Sequence, residues 1–287
     1  INAGNLVVTQ GNNLSLLGGS VINTGSLTAP EGNITIAAVP GQNIVRLSQQ
    51  GMVLSLEVVP NGATSDGSQL PPAAGISATD LLGLVSGGTV SDATRVRVNS
   101  DGTVSLTGSG IAIPTSGGVA IASGSLNVSG QTGGTVTVLG DKVGVMGANI
   151  NASGTNGGGT ILIGGDYQGK GTLPHASRTL VSSDSVINAD ALLYGNGGRA
   201  IVWADELTGF YGTLSARGGI YSGNGGFAEV SAKQNLNFQG NADLSATNGS
   251  FGTLDLDPEQ IRIVNGRGGL DDNQLNAGVP PGEPQGQ

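Results

Sequence analysis

The stretch that decides the fold reads GGTILI at residues 158–163. A glycine pair precedes a short run in which Ile161 and Ile163 occupy alternate positions, and such alternation predicts a β-strand with one face turned to a core. The phrase recurs along the chain, which makes it a repeat rather than an isolated strand. Copies read GGTVTV at 133–138, GGRAIV at 197–202 and GGFAEV at 225–230, with looser copies at 32–36, 117–121 and 252–256.

A second phrase precedes the first and reads apolar, polar, small, polar, glycine. It occurs as LNVSG at 126–130, INASG at 150–154 and LSARG at 214–218, with partial copies at 27–30 and 244–247. The second glycine of each pair, and then Gly252, fall at 134, 159, 198, 226 and 252, so the steps are 25, 39, 28 and 26 residues. A single unit with occasional insertions explains these steps.

Units of this size cannot bury an apolar face alone, and their repetition is typical of a parallel β-solenoid. Within a unit we expect two or three short strands, separated by turns rich in Gly, Asn, Ser and Asp. Alternate side chains such as Val136 and Val138 would point into a narrow core shared by neighbouring coils. Gly and Asn suit the corners because both accept a positive φ, and stacked Asn side chains can bond one another along the axis.

The composition excludes several classes of protein. The 287 residues include 53 Gly and 11 Pro, which ordinary helices avoid, so a mostly helical fold is disfavoured. Basic residues number 11 against 20 acidic ones, a net charge of −9, and they form no stripe that could bind nucleic acid. The chain has no Cys, which excludes disulfides, Cys-ligated zinc and thiol catalysis. No apolar run reaches the ~18 residues of a transmembrane helix.

Breaks in the repeat divide the chain into four parts. We expect the first β-helix coils at 1–59, a lateral insertion at 60–113, further coils at 114–264 with a loop at 166–190, and a flexible linker or tail at 265–287.

The insertion is predicted to hold local structure of its own. Ser77 is a candidate N-cap for a short helix. The runs RVRV at 95–98 and TVSL at 103–106 flank NSDG at 99–102, a pattern typical of a β-hairpin. The chain opens at Ile1 without a Met or a signal-like segment, so we expect it to be a piece of a longer protein.

Several stretches resemble the passenger region of filamentous haemagglutinin-family exoproteins, the secreted partners of bacterial two-partner secretion systems. The resemblance covers roughly 1–264 and is most specific over 126–264, where phrases and order both match. The stretches that carry it are GGTILIGGDYQGKG at 158–171, GGRAIVWADE at 197–206, LSARGG at 214–219 and LDLDP at 254–258.

The resemblance implies a right-handed parallel β-helix that is threaded unfolded through an Omp85-type transporter of the cell outer membrane. It also implies a secreted or cell-surface location and adhesion to a host-cell, matrix or polysaccharide receptor. One feature departs from the family: its secretion domain carries Asn-Pro motifs, and this sequence has no Asn-Pro dipeptide. Recognition by the transporter is therefore expected to lie outside this sequence.

The best local cluster for a surface-binding patch is aromatic: Trp203, with Phe210, Tyr211 and Tyr221 on following coils. Asp205 and Glu206 lie beside it, but neighbouring residues on a strand point to opposite faces, so the two carboxylates are not expected to converge unless a turn intervenes. Corner charges beside aromatic packing are the favoured interpretation. A sugar-stacking patch is the alternative, and hydrolysis is the weakest reading.

Other candidates for chemistry lack partners. His175, the single His, follows Pro174 and is expected in a solvent-exposed loop. A set of three acidic residues near the end of the repeat is spaced like calcium ligands. The nonapeptide calcium repeat is not reiterated, however, so these acids are expected to be solvated. That set is Asp255, Asp257 and Glu259. The glycines at 157–159 are followed by neither Gly-Lys-Ser/Thr nor a helix signal, which excludes a phosphate loop.

We therefore predict an all-β, right-handed parallel β-helix with a lateral insertion, serving as the structural passenger segment and adhesin scaffold of a two-partner-secretion exoprotein. No catalytic, metal or cofactor site is predicted, and the chain is not expected to be an enzyme. The alternative from another class is a carbohydrate-binding or polysaccharide-degrading β-helix protein.

Overall fold

The computed structural model describes residues 1–39, 45–48, 55–58, 95–98, 104–107 and 118–257. These residues form 24 β-strands and one 3-10 turn at Tyr167–Gly169, so helix is almost absent from the described part of the chain. Of these strands, 20 build three parallel sheets of seven, six and seven strands, and the other four form two antiparallel pairs.

The chain passes through the three sheets in turn, so each coil contributes one strand to each sheet. Sheet 1 consists of β2 (Asn13–Gly18), β5 (Asn33–Ala38), β12 (Thr135–Leu139), β15 (Thr160–Ile163), β18 (Arg199–Ala204), β21 (Phe227–Ala232) and β24 (Thr253–Asp255). Sheet 2 consists of β3 (Val21–Asn23), β10 (Val119–Ala122), β13 (Lys142–Val145), β16 (Arg178–Val181), β19 (Leu207–Phe210) and β22 (Asn235–Phe238). Sheet 3 consists of β1 (Asn5–Val7), β4 (Ser26–Thr28), β11 (Ser125–Asn127), β14 (Asn149–Asn151), β17 (Val186–Asn188), β20 (Thr213–Ser215) and β23 (Asn241–Asp243).

Neighbouring strands in each sheet belong to consecutive coils and pair in parallel. The predicted parallel β-helix is therefore confirmed. The described residues contain six complete coils, each with one strand from every sheet.

The core is a set of apolar columns that run along the helix axis. Val136 and Val138 are fully buried, as their alternation predicts. Burial of a large aliphatic side chain stabilises a fold by about 1.5–3 kcal/mol, and here each buried residue also covers its counterpart on the next coil. One column in sheet 1 is Ile34, Val136, Ile161, Ala200 and Ala228. One column in sheet 3 is Leu27, Leu126, Ile150, Ile187 and Leu214.

The glycine pairs lie in register at the corner that leads into sheet 1. A Cβ added to Gly159 would lie 2.1 Å from the carbonyl oxygen of Gly134, and one added to Gly198 would lie 2.1 Å from that of Gly159. The same clash recurs at Gly226 against Gly198. None of these glycines has a positive φ. The corner therefore requires Gly because coils approach closely, and the expected reason, a positive φ, does not apply to the pairs.

Hydrogen bonds from each pair hold the corner in two directions. The second glycine closes its own coil: the N–H of Gly159 donates to Ala152 O at 2.7 Å, and that of Gly198 donates to Ala189 O at 2.7 Å. The first glycine reaches the next coil, as in the bond from Gly158 N to Asn196 O at 3.1 Å. A side chain at either position would clash with backbone atoms of a neighbouring coil.

Asparagine side chains also bond at the corners. The last residue of most sheet 3 strands is Asn or Asp, and its Oδ1 accepts from the N–H two residues later, as at Asn151 to Ser153 with a distance of 3.0 Å. Bonds also run between coils, but mostly from side chain to backbone: Asn196 Oδ1 accepts from Asn224 N at 2.8 Å. Direct amide pairing occurs at Asn33 and Asn13, with 2.7 Å between Nδ2 and Oδ1.

The path of one coil has a break between Ala38 and Val119. The coils on either side of this break still stack in order, since β10 pairs with β3 and β12 pairs with β5. This break starts before the predicted insertion at 60–113. Within it, β6 (Val45–Ser48) pairs antiparallel with β7 (Ser55–Val58), and β8 (Arg95–Val98) pairs antiparallel with β9 (Val104–Thr107).

Strands β6 and β7 thus pair with each other and not with the three parallel sheets, although they fall in the segment 1–59 where coils are expected. An alternating pattern does not distinguish a parallel partner from an antiparallel one, which explains the difference. The pair β8 and β9 lies where the sequence predicts a hairpin. The helix expected after Ser77 and the tail at 265–287 lie outside the described residues.

The glycine pairs lead to a direct test. We expect Gly198→Ala to lower the free energy of unfolding by about 2 kcal/mol or more, because the added Cβ forces two backbones apart. The matched control is Gly4→Ala, whose Cβ would meet nothing closer than Asn2 Oδ1 at 3.7 Å, and it should change stability by less than about 0.5 kcal/mol. Urea unfolding followed by circular dichroism measures both, and equal losses would contradict the steric argument.

Candidate functional site

The longest connection within residues 118–257 covers the outer face of sheet 1. It consists of residues 164–177, between β15 and β16, and is called the cover loop below. It accounts for the long repeat step of 39 residues, and it ends at 177 because 178–181 and 186–188 return to the sheets. The predicted loop at 166–190 therefore includes two strands of the helix.

Trp203 is buried under the cover loop. Its side chain extends from the outer face of β18, yet the residue is only 5% exposed. Two glycines allow the loop to lie on the indole, since a Cβ at Gly165 or Gly169 would come within 2.8 or 2.5 Å of ring atoms. The indole Nε1 lies 3.4 Å from Asp205 Oδ1. Trp203 therefore anchors the loop and presents no open ring face to a ligand.

A cation–π cluster fixes the start of the cover loop. The Arg199 guanidinium lies 5.5 Å from the centroid of the Tyr167 ring and 5.9 Å from that of Phe227, and the two rings meet edge to face. Asp166 Oδ1 accepts from Tyr167 N at 2.7 Å and from Arg199 Nη2 at 3.4 Å. Such contacts contribute about 0.5–1 kcal/mol each where they are partly exposed.

Glu229 is a fully buried carboxylate beneath the same loop. Both of its oxygens accept from the N–H of Gln168, at 3.1 and 3.0 Å, and Gln168 has a φ of 54°, which is unusual for a residue other than Gly. Burial raises the pKa of Glu229, and the bonds from Gln168 and Ser231 oppose that rise. The charges of Asp255 and Asp257 raise it further. The Glu229 carboxylate thus bonds the backbone of the cover loop, although burial disfavours the charged form of this carboxylate.

The four aromatic residues of the predicted patch do not lie together. Phe210 points into the core and stacks on Phe238, with 5.3 Å between ring centroids. Tyr211 lies at the following corner, where its hydroxyl accepts from Asn237 Nδ2 at 2.8 Å, and burial raises its pKa. Tyr221 lies on the loop that joins sheet 3 to sheet 1. A strand alternates its faces at every residue, so proximity in sequence does not place these side chains on one surface.

The predicted acids and His175 have separate partners. Asp205 Oδ1 lies 3.4 Å from His175 Nδ1, and the His ring packs near Trp203 rather than standing free in solvent. Glu206 Oε2 accepts from Arg178 Nε and Nη2 at 3.0 and 2.7 Å, so the two adjacent carboxylates have different partners.

Of the candidate calcium ligands, Asp255 accepts from the Tyr167 hydroxyl at 3.5 Å, and the N–H of Asp257 donates to Ser231 Oγ. Glu259 lies outside the described residues. Within the described ranges, no three His, Cys, Asp or Glu side chains are grouped to hold a metal ion. The same residues include no helix of the length and apolarity that a membrane crossing needs.

The sequence analysis named Tyr221 but not the other residues of an exposed apolar surface on the loops between sheet 3 and sheet 1. Leu192, Tyr194, Ile220 and Tyr221 are all exposed there, and we call these four residues the tyrosine ridge. The Tyr194 and Tyr221 rings lie 5.3 Å apart with a tilt of 35°. A signal was present, because loops 189–198 and 216–226 are longer than 128–134 and each adds an aliphatic residue and a Tyr.

A pocket of about 260 Å³ adjoins the ridge. Asp190 lies at its base, only 1% exposed, and accepts from Arg217 N at 2.7 Å, Nε at 3.0 Å and Nη2 at 2.7 Å. These bonds and the charge of Asp190 raise the pKa of Arg217. The arrangement arises because β20 ends in Ser215 where its neighbours end in Asn or Asp, so Asp190 of the preceding coil caps the free N–H. The lining residues are Asp190, Ala191, Leu192, Arg217, Gly218, Ile220, Ser245 and Thr247.

No protein-family model and no curated protein matches this chain. Among solved structures, the chain is similar to one described as the crystal structure of the HMW1 secretion domain from Haemophilus influenzae. The two share 21% sequence identity with a TM-score of 0.40, and the match covers 84% of this chain and 62% of that chain. The chain thus spans less than two thirds of that domain, and a likeness at this level assigns neither function nor partner.

The buried carboxylate predicts a pH dependence of stability. Because the pKa of Glu229 is higher in the folded chain than its ordinary value of 4.5, the folded state holds the extra proton, and stability falls as pH rises through the folded pKa. Glu229→Gln lacks this charge, so it should gain stability relative to the wild type as pH increases from about 4 to 8. Urea unfolding at several pH values measures the difference.

Glu31→Gln is the control, because the pKa of Glu31 is shifted in the opposite direction to that of Glu229. Bonds from the Gln10 side chain and Gln131 N lower the pKa of Glu31, so its contribution is present at neutral pH and is lost as pH falls through the folded pKa. The wild type should therefore lose stability relative to this variant in acid. Parallel pH curves for the wild type and Glu229→Gln would contradict the role assigned to burial.

Proposed function

We propose that this chain is a passenger segment of a filamentous haemagglutinin-type exoprotein, secreted by a two-partner system and acting as an adhesin scaffold at the bacterial cell surface. One observation carries the proposal: both phrases of the family resemblance occupy structurally equivalent corners on successive coils. The glycine pair enters sheet 1, and the apolar-polar-small-polar-glycine phrase leaves sheet 3. Residues that resemble a secreted passenger are thus the residues that the coils need in order to stack.

The mechanism of such a scaffold is geometric. Seven stacked strands at ~4.8 Å spacing extend sheet 1 over roughly 30 Å, and every coil can carry a loop without disturbing its neighbours. The cover loop and the tyrosine ridge are two such additions, on different faces of the same coils. A longer rod of this kind would hold binding loops away from the membrane.

The same geometry suits export in an unfolded state. Each finished coil leaves a free strand edge whose N–H and C=O groups can pair with the next coil. Folding outside the cell would then proceed coil by coil and help to draw the chain through an Omp85-type transporter. The absence of Cys fits this route, because no disulfide can form before export.

The state of the carboxylates favours a scaffold over a polysaccharide-degrading enzyme. Glu229 bonds a backbone N–H, Glu206 pairs with Arg178, and Asp190 pairs with Arg217. A glycosidase needs two acids that face one groove about 5–9.5 Å apart. We expect no turnover when the purified chain is incubated with polygalacturonate, and measurable release of reducing ends would overturn this part of the proposal.

Export kinetics test the proposed route. The protein that carries this chain is co-expressed with its outer-membrane transporter, and arrival at the surface is followed by pulse labelling and protease accessibility. We expect Gly198→Val to arrive several-fold more slowly than the wild type, because the blocked corner stops coil addition. Gly4→Ala is the matched control and should arrive at the wild-type rate.

Two outcomes would contradict the proposal separately. Arrival of Gly198→Val at the wild-type rate would remove the pulling role of folding while leaving the export route intact. Equal surface arrival of the wild type with and without the transporter would remove the two-partner route itself.

A further inference from the structure

We infer that the tyrosine ridge and the adjoining pocket form a binding site for a neutral oligosaccharide. The inference rests on the proposed adhesive role and names its ligand class. It stands on four features of the site: a rigid backbone, two exposed aromatic rings, an excess of negative charge, and a pocket of suitable size.

The backbone of the site is rigid because its loops continue the stacking of the coils. Tyr221 N donates to Leu193 O at 2.9 Å, and Tyr194 forms a parallel bridge with Ser222. Asn248, on the next coil, donates from Nδ2 to Ile220 O at 2.7 Å. The ridge is therefore held before any ligand arrives, which reduces the entropy lost on binding.

The two rings offer the surface that a sugar ring stacks on. Tyr194 is 49% exposed and Tyr221 is 60% exposed, whereas Trp203 and Phe210 are buried. A pyranose has an apolar face of C–H groups, and Tyr combines an apolar ring with a hydroxyl that can bond a sugar hydroxyl. Leu192 extends the apolar surface toward the pocket.

The charges around the pocket favour an uncharged ligand. The Arg217 guanidinium is bound by Asp190, and Asp243 Oδ2 lies 4.0 Å from its Nε, so two carboxylates surround one cation. A sulfate or uronate would meet this excess negative charge. Sugar hydroxyls both donate and accept, and they match the exposed carboxylate of Asp243 together with the hydroxyls of Ser245 and Thr247.

The pocket suits one sugar unit rather than a whole chain. Its volume of about 260 Å³ lies just below the range of ~300–1,000 Å³ that holds drug-sized ligands. The ridge beside it is open, so further units can lie along the two rings. The pocket combines the apolar side chains of Leu192 and Ile220 with polar ones such as Ser245 and Thr247, and a sugar ring likewise carries both an apolar face and hydroxyls.

Titration calorimetry on the purified full chain tests the site. The neutral probes are cellohexaose, maltohexaose and lacto-N-neotetraose, and a heparin hexasaccharide is the acidic comparator. We expect at least one neutral probe to bind more tightly than heparin. Tyr194→Ala combined with Tyr221→Ala should weaken that binding about tenfold or more.

Two further variants isolate the rings. Tyr194→Phe combined with Tyr221→Phe keeps the stacking surface. Its dissociation constant for the same probe should lie within about threefold of the wild-type value. Phe251→Ala removes another exposed aromatic residue that neither lines the pocket nor pairs with a tyrosine, and it should leave affinity unchanged. Circular dichroism establishes that all variants fold.

The inference is overturned if no neutral probe binds, if heparin binds more tightly, or if the alanine pair binds like the wild type. Adhesion of chain-coated beads to epithelial monolayers separates this result from the proposed function. If wild-type and alanine-pair beads adhere equally, the adhesive role stands and the site is wrong. If the wild type binds a neutral probe but its beads do not adhere, the site stands and the adhesive role fails.

Discussion

The structure depends on one backbone contact, at the corner that leads into sheet 1. There the backbone of each coil lies directly against the backbone of the next. At Gly159 and Gly198 a side chain would lie about 2.1 Å from a carbonyl oxygen of the neighbouring coil. Only glycine allows that distance, and the same residues donate the hydrogen bonds that close each coil. Strand register follows from this contact, because a one-residue slip would place Thr160 or Arg199 where a Cβ cannot fit.

A corner that is fixed so tightly leaves the rest of each coil free to vary. Coil order resumes at Val119 after a break of many residues, and it resumes at Arg178 after the cover loop. Both additions leave the parallel register intact, because stacking interactions pass only between neighbouring coils. The buried Glu229 shows the cost of one such addition: the cover loop excludes water from a carboxylate that an uncovered strand would expose.

The sequence predicted the two sheets whose corners demand particular residues. Four of the seven sheet 1 strands follow a glycine pair, and four of the seven sheet 3 strands end in Asn or Asp, so both sheets carry a repeated phrase. Sheet 2 carries less of either phrase: only the looser copy at 117–121 leads into one of its strands, VAIA at 119–122, and LTGF at 207–210 follows no such copy. The site was harder to predict: Trp203 and Tyr221 look equivalent in sequence, and only the cover loop decides which ring is buried.

The tyrosine ridge is formed by two coils together. Tyr194 belongs to one coil and Tyr221 to the next, and Asp190 of the first coil orients Arg217 of the second. Neither coil alone holds both rings or the charge pair, so the site exists only after the two coils have stacked. Two coils that have not stacked therefore present neither the paired rings nor the Asp190–Arg217 ion pair.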